Sequence, residues 1–281
     1  MMILRTSKRA IKLERAVVMG ILNVTPDSFS DGGRYADVDA ALTRAEEMIG
    51  EGAAIIDIGG ESTRPGSERV PADVEIERIV PVIEAIAKRF DIPISIDTSK
   101  SAVAEAAIDA GAEIINDISG LRFDEGIAGV AARSKAGLVL MHSRGEFETM
   151  HSQPPVDDII AEVSNDFRRS LSIAASHGVV PDAIVLDVGI GFGKTPEQNL
   201  ELIAKLDRIA DTFKQFPLLV GASRKSFIGK ALDGAPPEDR LSGSIAAAVA
   251  AVMNGAKILR VHDVRETIEA LKITNAIIAQ S

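Results

Sequence analysis

Short runs of β-branched and other aliphatic residues alternate along the chain with longer segments in which apolar positions recur at helical spacing. That alternation marks repeated strand–helix units and a parallel sheet, whose strands are covered on both faces and therefore read as nearly continuous apolar runs. Eight units can be drawn. The predicted strands are Val17 to Val24, Ala54 to Ile58, Ile94 to Asp97, Ile114 to Asp117, Leu138 to His142, Ile184 to Asp187, Leu218 to Ala222 and Ile258 to His262. The predicted helices lie around 38–50, 73–90, 101–110, 124–135, 156–177, 197–213, 242–254 and 264–279.

An internal echo supports this division. The segments EGAAIID (51–57), AGAEIIN (110–116) and NGAKILR (254–260) share a Gly-Ala step followed by two aliphatic residues. Each glycine is placed to end a helix in the left-handed conformation before the next strand starts. Five residues beyond the glycine stands a polar side chain: Asp57, Asn116, Arg260 and, after Gly137, His142. Equal offsets in equivalent units assign these residues to one end of the sheet, and Asn23, Asp97 and Asp187 end further strands.

Eight such units in 281 residues suit an α/β fold of the (β/α)8 TIM-barrel type, typically ~250 residues long, with its site at the C-terminal ends of the strands. A doubly wound open sheet is the rival architecture. Residues 1–281 read as a single domain, with 1–16 as a short N-terminal extension, an arm or hairpin.

Composition narrows the chemistry. There is no Cys, which excludes disulfides, thiolate catalysis and Cys-based metal sites. With nine Phe, one Tyr and no Trp, the core must be aliphatic and a base-stacking nucleic-acid platform is not expected. Lys plus Arg number 31 against 41 Asp plus Glu, a net charge of −10, so the surface as a whole repels phosphate backbones. Any anionic ligand then needs a local positive cluster. The N-terminus lacks the apolar stretch of ~7–15 residues of a signal peptide. The run Ile245 to Met253 is half the ~18 residues of a membrane span. A cytoplasmic protein binding neither membrane nor nucleic acid is expected.

The loops carry the candidate chemistry. GILNVTPDSFSDGG (20–33) and DIGGESTRPGS (57–67) are longer and more polar than strand–helix closure requires. In the second, Arg64 between Thr63 and Pro65 suits an oxyanion or an ordinary surface ion pair. SIDTSK (95–100) and NDISG (116–120) put Asp97 and Asn116 at strand ends, where a carboxylate and an amide can read the edge of a planar heterocycle; Thr98 or Ser99 can equally cap the third helix. LDVGIGFGKT (186–195) has neither phosphate-loop nor dinucleotide-fingerprint spacing, leaving Asp187 over a glycine loop that lets backbone approach a flat ligand. GASRKSF (221–227) puts Arg224 and Lys225 just past the seventh strand. RVHD (260–263) projects Arg260 and His262 to one side with Val261 opposite, near where barrels commonly bind phosphate. The four His lack metal-site spacing, His151 and His177 reading as solvated. GASRK does not fit the nucleophile elbow.

Taken in order, NVTPDSFSDGG, DIGGESTRPG, SIDTSK, NDISG, LDVGIGFGK, SRKSF and RVHD resemble the dihydropteroate synthase family from Met19 to Val264. The resemblance implies a transferase joining 6-hydroxymethyl-7,8-dihydropterin diphosphate to 4-aminobenzoate in folate biosynthesis, a target of sulfonamides. It implies pterin contacts from Asp97, Asn116 and Asp187, Lys225 lying along pterin and aminobenzoate, and a diphosphate site of Arg260, His262 and Asn23, with Asn23 also contacting Mg2+. Thr63 and Arg64 match the second loop, Phe29, Asp31 and Pro65 match loop residues that close over the site and shape the aminobenzoate pocket, and Phe192 and Ser226 fall in matching motifs. Phe29, Phe192 and Phe227 lie in the motif loops where a flat ligand would sit. Two departures stand out: Val188 where the family usually has Pro, and SRGEFETMHSQPP after His142, a residue otherwise expected to line the pterin pocket with Met141. A homodimer formed through the late helices is expected. The competing readings are the pterin-binding barrel of a folate-dependent methyltransferase and a silent pterin-binding paralogue.

Overall fold

The computed structural model describes residues 2–24, 33–62, 66–150 and 152–280, with backbone alone at 33–37. It opens with an antiparallel hairpin, β1 (Ile3–Arg5) against β2 (Ala10–Lys12), with Leu4 opposite Ile11. Strands β3 (Val17–Asn23), β4 (Ile55–Gly59), β5 (Ile94–Asp97), β6 (Ile114–Asp117), β7 (Gly137–Met141), β8 (Ile184–Asp187), β9 (Leu218–Val220) and β10 (Ala256–Val261) follow. These eight, among the described residues, form a closed parallel barrel in chain order, shut by β10 pairing with both β9 and β3. The fold is the (β/α)8 barrel and not the open sheet. The helices are α1 (Gly33–Glu51), α2 (Ala72–Arg89), α3 (Ser101–Ala110), α4 (Gly126–Ser134), α5 (Ile159–Ser176), α6 (Pro196–Ala204), α7 (Leu206–Thr212), α8 (Ser226–Ala231), α9 (Leu241–Met253) and α10 (Val264–Ile278). No helix among the described residues is long and apolar enough to cross a membrane.

Alternation along the strands sorts their side chains into two cores. Ile56, Ile58, Leu138 and Leu140 point outward and pack with helix residues such as Ile79, Ile83, Val163 and Phe167; each such burial contributes about 1.5–3 kcal/mol. Met19, Ile55, Ile114, Val139, Val185, Leu219 and Ile258 point inward and form one aliphatic layer with Leu4 and Leu13 of the hairpin. The hairpin therefore plugs the N-terminal end of the barrel. Arg5 Nε donates to Asp182 at 2.8 Å, and Thr6 Oγ1 donates to the buried Glu113 at 2.8 Å.

Three local expectations are corrected. The segment 197–213 is two helices, broken at Lys205 (φ −112°, ψ 22°); the change of direction brings Leu202 as well as Leu206 and Ile209 into the core. Neither Thr98 nor Ser99 caps α3. Lys100 takes the N-cap position without a side-chain bond, and Asp124 accepts from Ser101 N–H at 2.7 Å and from Gly126 N–H at 2.9 Å, so one carboxylate serves the starts of α3 and α4. Phe227 packs in the outer core and not beside a ligand-bearing loop, because α8, too short to show a period in the sequence, turns it inward.

Candidate active site

The second inward-facing layer, one step toward the C-terminal ends of the strands, is polar. Two residues beyond Ile55, Ile114, Val185 and Ile258 stand Asp57, Asn116, Asp187 and Arg260, and Asp97 follows Ser95 on β5. The register is continuous: Gly59 lies beside Asp97, Asp97 beside Asn116, and Met141 beside Asp187. Gly221 lies against Arg260, where an added Cβ would make only ordinary contact, 3.6 Å from the Arg260 Cβ.

Arg260 joins this layer. Its Nε donates to Asp57 Oδ2 and its Nη2 to Asp97 Oδ2, each at 2.6 Å. Asn116 Nδ2 donates to Asp57 Oδ2 at 3.2 Å. Burial opposes the Arg260 charge, yet Asp57 and Asp97 hold its pKa above the ordinary value. Burial pushes the Asp97 carboxyl up in spite of Arg260, with Asp57 adding repulsion. Asp57 Oδ1, Ser95 Oγ and Asn116 Oδ1 are buried with no hydrogen-bond partner among the described residues. An unmatched buried polar atom costs about 1–3 kcal/mol, so three together favour a ligand bearing its own donors and acceptors.

Across the mouth the glycine loop after β8 is held from within. Asp187 Oδ1 accepts from Gly189 N–H at 2.7 Å, and Asn199 Oδ1 from Gly191 N–H at 2.6 Å. Lys194 Nζ donates to the carbonyls of Gly189, Phe192 and His142 at 2.7, 3.0 and 3.3 Å. Lys194 is thus a tie between loops, and burial holds its pKa well below the usual value. Lys225 Nζ donates to the Ile190 carbonyl and lies 4.3 Å from the centre of the Phe192 ring. Burial lowers its pKa to about 8 although Asp187 favours the charge. Arg224, left-handed at φ 58°, turns outward to pair with Asp263 and so directs Lys225 inward.

His262 meets Ser223, Nδ1 to Oγ at 3.1 Å, and its carbonyl accepts from Arg44 at 3.1 Å. Val261 faces the outer core, as expected of the residue between Arg260 and His262. Asn23, half-buried, ends β3 beside Gly59, with its Oδ1 3.8 Å from where a Cβ at Gly59 would stand. Ser226 opens α8 at the rim, exposed. Phe29, Asp31, Thr63, Arg64 and Pro65 lie outside the described residues, as does His151; His177 is exposed, its ring near the Ile173 carbonyl.

His142 corrects the offset argument. It lies at the same barrel end but on the opposite face, behind Met141, with Arg122, Arg144 and Lys194 around it. The phase differs because Gly137 is itself the first strand residue, paired with Ile114, and the left-handed C-cap of α4 is Lys135. Burial, then these cations, hold the imidazole pKa well below its ordinary value. Met141 does face inward, in a cluster with Ile118, Phe147, Met150 and Phe192. Conversely, Asp57 is central and had not been singled out as a site residue, although its offset from Gly52 equals those of Asn116 and Arg260.

The family profile described as pterin binding enzyme matches residues 19–262. The chain is 48% identical to dihydropteroate synthase of Synechocystis sp. over 94% of its own length and 91% of that relative. Yersinia pestis dihydropteroate synthase, solved with a sulfonamide drug, superposes with TM-score 0.92 at 45% identity, covering 99% of this chain and 100% of that one. The Xanthomonas albilineans enzyme, solved with 4-aminobenzoic acid, gives 0.91 at 41%, covering 98% of each. With the polar layer, the glycine loop and Lys225 all falling within the matched span, the chain belongs to the pterin binding enzyme family.

Proposed function

We infer that the chain is a dihydropteroate synthase, a transferase of folate biosynthesis that joins 6-hydroxymethyl-7,8-dihydropterin diphosphate to 4-aminobenzoate, giving 7,8-dihydropteroate and diphosphate. The carrying observation is the ring of Asp57, Asp97, Asn116 and Asp187 above a sealed aliphatic layer, with two carboxylates and an amide hydrogen-bonded in one cluster around Arg260. A flat heterocycle rich in donors and acceptors matches such a ring, and the buried unpaired oxygens of Asp57 and Asn116 are ready acceptors for it.

In the reaction the methylene C–O bond breaks and its electrons leave with the diphosphate oxygen. The amine lone pair forms the new C–N bond, and the ammonium proton is lost to water. An aryl amine is a weak nucleophile, so stabilising the departing anion is the main task. Arg260 Nε and Nη2 are engaged by Asp57 and Asp97; this fixes the guanidinium plane and leaves Nη1 for the diphosphate. His262 and Arg64 are assigned beside it. Lys225, over the Phe192 ring, is assigned to lie along both substrates, with Ser226 at the rim. Asp31 stabilises the cation developing at the methylene, Phe29 and Pro65 shape the aminobenzoate pocket, and Thr63 binds substrate from the second loop.

Mg2+ is the assigned metal. Among the described residues no cluster of His, Cys, Asp and Glu could hold an ion alone, but Mg2+ is commonly held by one or two protein oxygens together with substrate phosphates. The hard carboxamide oxygen of Asn23 fits that role. When bound, the ion would neutralise charge on the leaving diphosphate.

Diphosphate release that requires both Mg2+ and the aryl amine is the expected result of a coupled assay. Release without the amine would favour a different pterin enzyme and overturn the reading. In the free enzyme Lys225 is protonated below about pH 8 and neutral above it, so kcat/KM for the anionic substrate falls as pH rises through that value. Lys225→Arg should lose this limb; a limb unchanged in that variant assigns it to another group.

The enzyme is also assigned a second copy of itself as partner, through α9 and α10, which expose Met253, Ile273 and Ile277. Sedimentation should give a dimer, weakened by Ile273→Glu with Ile277→Glu. An unchanged dimer would place the interface elsewhere.

A further inference from the structure

The loop between β4 and α2 is fastened at its base. Glu61 Oε1 accepts from Val70 N–H at 2.5 Å and from Lys100 Nζ at 2.8 Å, while Lys100 also reaches the buried Glu75 at 2.6 Å. Next to that staple, Arg69 extends toward other loops. Its guanidinium lies 5.5 Å from the ring centre of Phe123, in the loop after β6, and 5.8 Å from that of Phe147, in the loop after β7. Both distances are within reach of a cation–ring attraction.

The far side of this contact is fixed. Arg122 stacks on Phe123 at 5.0 Å and donates from Nη2 to Ser143 Oγ at 2.8 Å and to the Gly145 carbonyl at 3.0 Å. Arg144 Nη1 donates to the carbonyls of Pro154 and Gly193 at 2.6 and 2.9 Å. Phe147 is buried in the apolar cluster that includes Phe192, the ring beneath Lys225. One apolar cluster, with Ile118, Met141 and Met150 among its members, therefore holds both the ring that Arg69 meets, Phe147, and the ring that Lys225 meets, Phe192. Phe147 belongs to SRGEFETMHSQPP, the stretch where this chain departs from the expected pattern.

We propose that Phe147 and Phe123 clamp Arg69 and are positioning residues for the aryl amine: they hold the described stretch 66–70, which leads into α2, relative to Lys225. The proposal rests on the synthase reading, since that reading gives the loop after β4 to the second substrate. A purely structural Phe147 would only fill the cluster, and an Arg69 that merely decorates the rim would do nothing.

Four full-length variants separate these roles: Arg69→Gln, Phe147→Leu (which keeps apolar bulk), the double variant, and Phe147→Tyr (which keeps the ring). Each of the first two should raise KM for 4-aminobenzoate about threefold to tenfold, with kcat and KM for the pterin diphosphate changed by less than about twofold. The double variant should be no worse than the poorer single, and Phe147→Tyr should behave as wild type. A silent Arg69→Gln, multiplying effects in the double variant, or parallel rises in both KM values would overturn the clamp while the wild type remains an active synthase. A wild type without amine-dependent release would instead overturn the synthase reading, and the clamp with it.

Discussion

Replacing Arg260 with methionine is expected to cost about 3–5 kcal/mol of folding stability, because it leaves buried carboxylates without their counter-ion. Asp57 is fully buried and Asp97 is 15% exposed, and both are held by this one guanidinium. The loss appears as a lower urea midpoint. Activity should fall further than stability alone explains, by about 10²–10³ in kcat/KM, the usual cost of losing one preorganised group facing developing charge. Adding Asp57→Asn and Asp97→Asn to Arg260→Met removes the buried charges and should recover much of the midpoint without recovering activity. If the single variant unfolds at the wild-type midpoint, the ion pairs contribute little to the fold. If it keeps wild-type kcat/KM, Arg260 does not hold the leaving group.

Gly189→Ala is expected to be nearly as damaging. Gly189 has φ +64°, and a Cβ there would fall inside the contact radius of the His142 carbonyl oxygen. That oxygen is backbone and already accepts from Lys194 at 3.3 Å, so it cannot move aside cheaply. Left-handed strain of about 1–2 kcal/mol and overpacking of about 1–3 kcal/mol together give a loss of about 2–5 kcal/mol. Because Gly189 N–H also fixes the Asp187 carboxylate at 2.7 Å, KM for the pterin substrate should rise as well. Gly50→Ala in α1 is the control: its Cβ would meet nothing within 4 Å, and a helical position gains up to about 1 kcal/mol from alanine. Calorimetry on the two variants should move in opposite directions; equal shifts would refute the steric account.

The barrel was legible because every strand is covered on both faces, so each of the eight units carries its own apolar run. Asn116, Asp187 and Arg260 were legible for the same reason, since a polar residue closing an apolar run has few places to go but the mouth. Asp57 had the same signal, a shared offset from a helix-ending glycine, yet as one acid among 41 it draws the eye only once Arg260 and Asn116 are seen beside it. His142 misled because Gly137 begins a strand where the other glycines end helices, and an odd shift of register reverses the face. Contacts between remote segments left no local trace. Asp124 caps a helix 23 positions earlier in the chain, and the rings of Phe123 and Phe147 meet a cation more than fifty residues before them. Such pairings are set by how loops converge at one barrel end, which no period in the sequence encodes.

The hairpin plug fixes the traffic through this barrel. With Leu4 and Leu13 completing an aliphatic floor, the described residues close the barrel at its N-terminal end and leave the C-terminal ends of the strands as the door. A molecule seated on the Asp57–Asn116 ring must enter before anything that settles above it and can leave only after that neighbour has gone. The order of arrival and departure is thus built into the architecture by twelve residues at the opposite end of the molecule from the door, Met2 to Leu13.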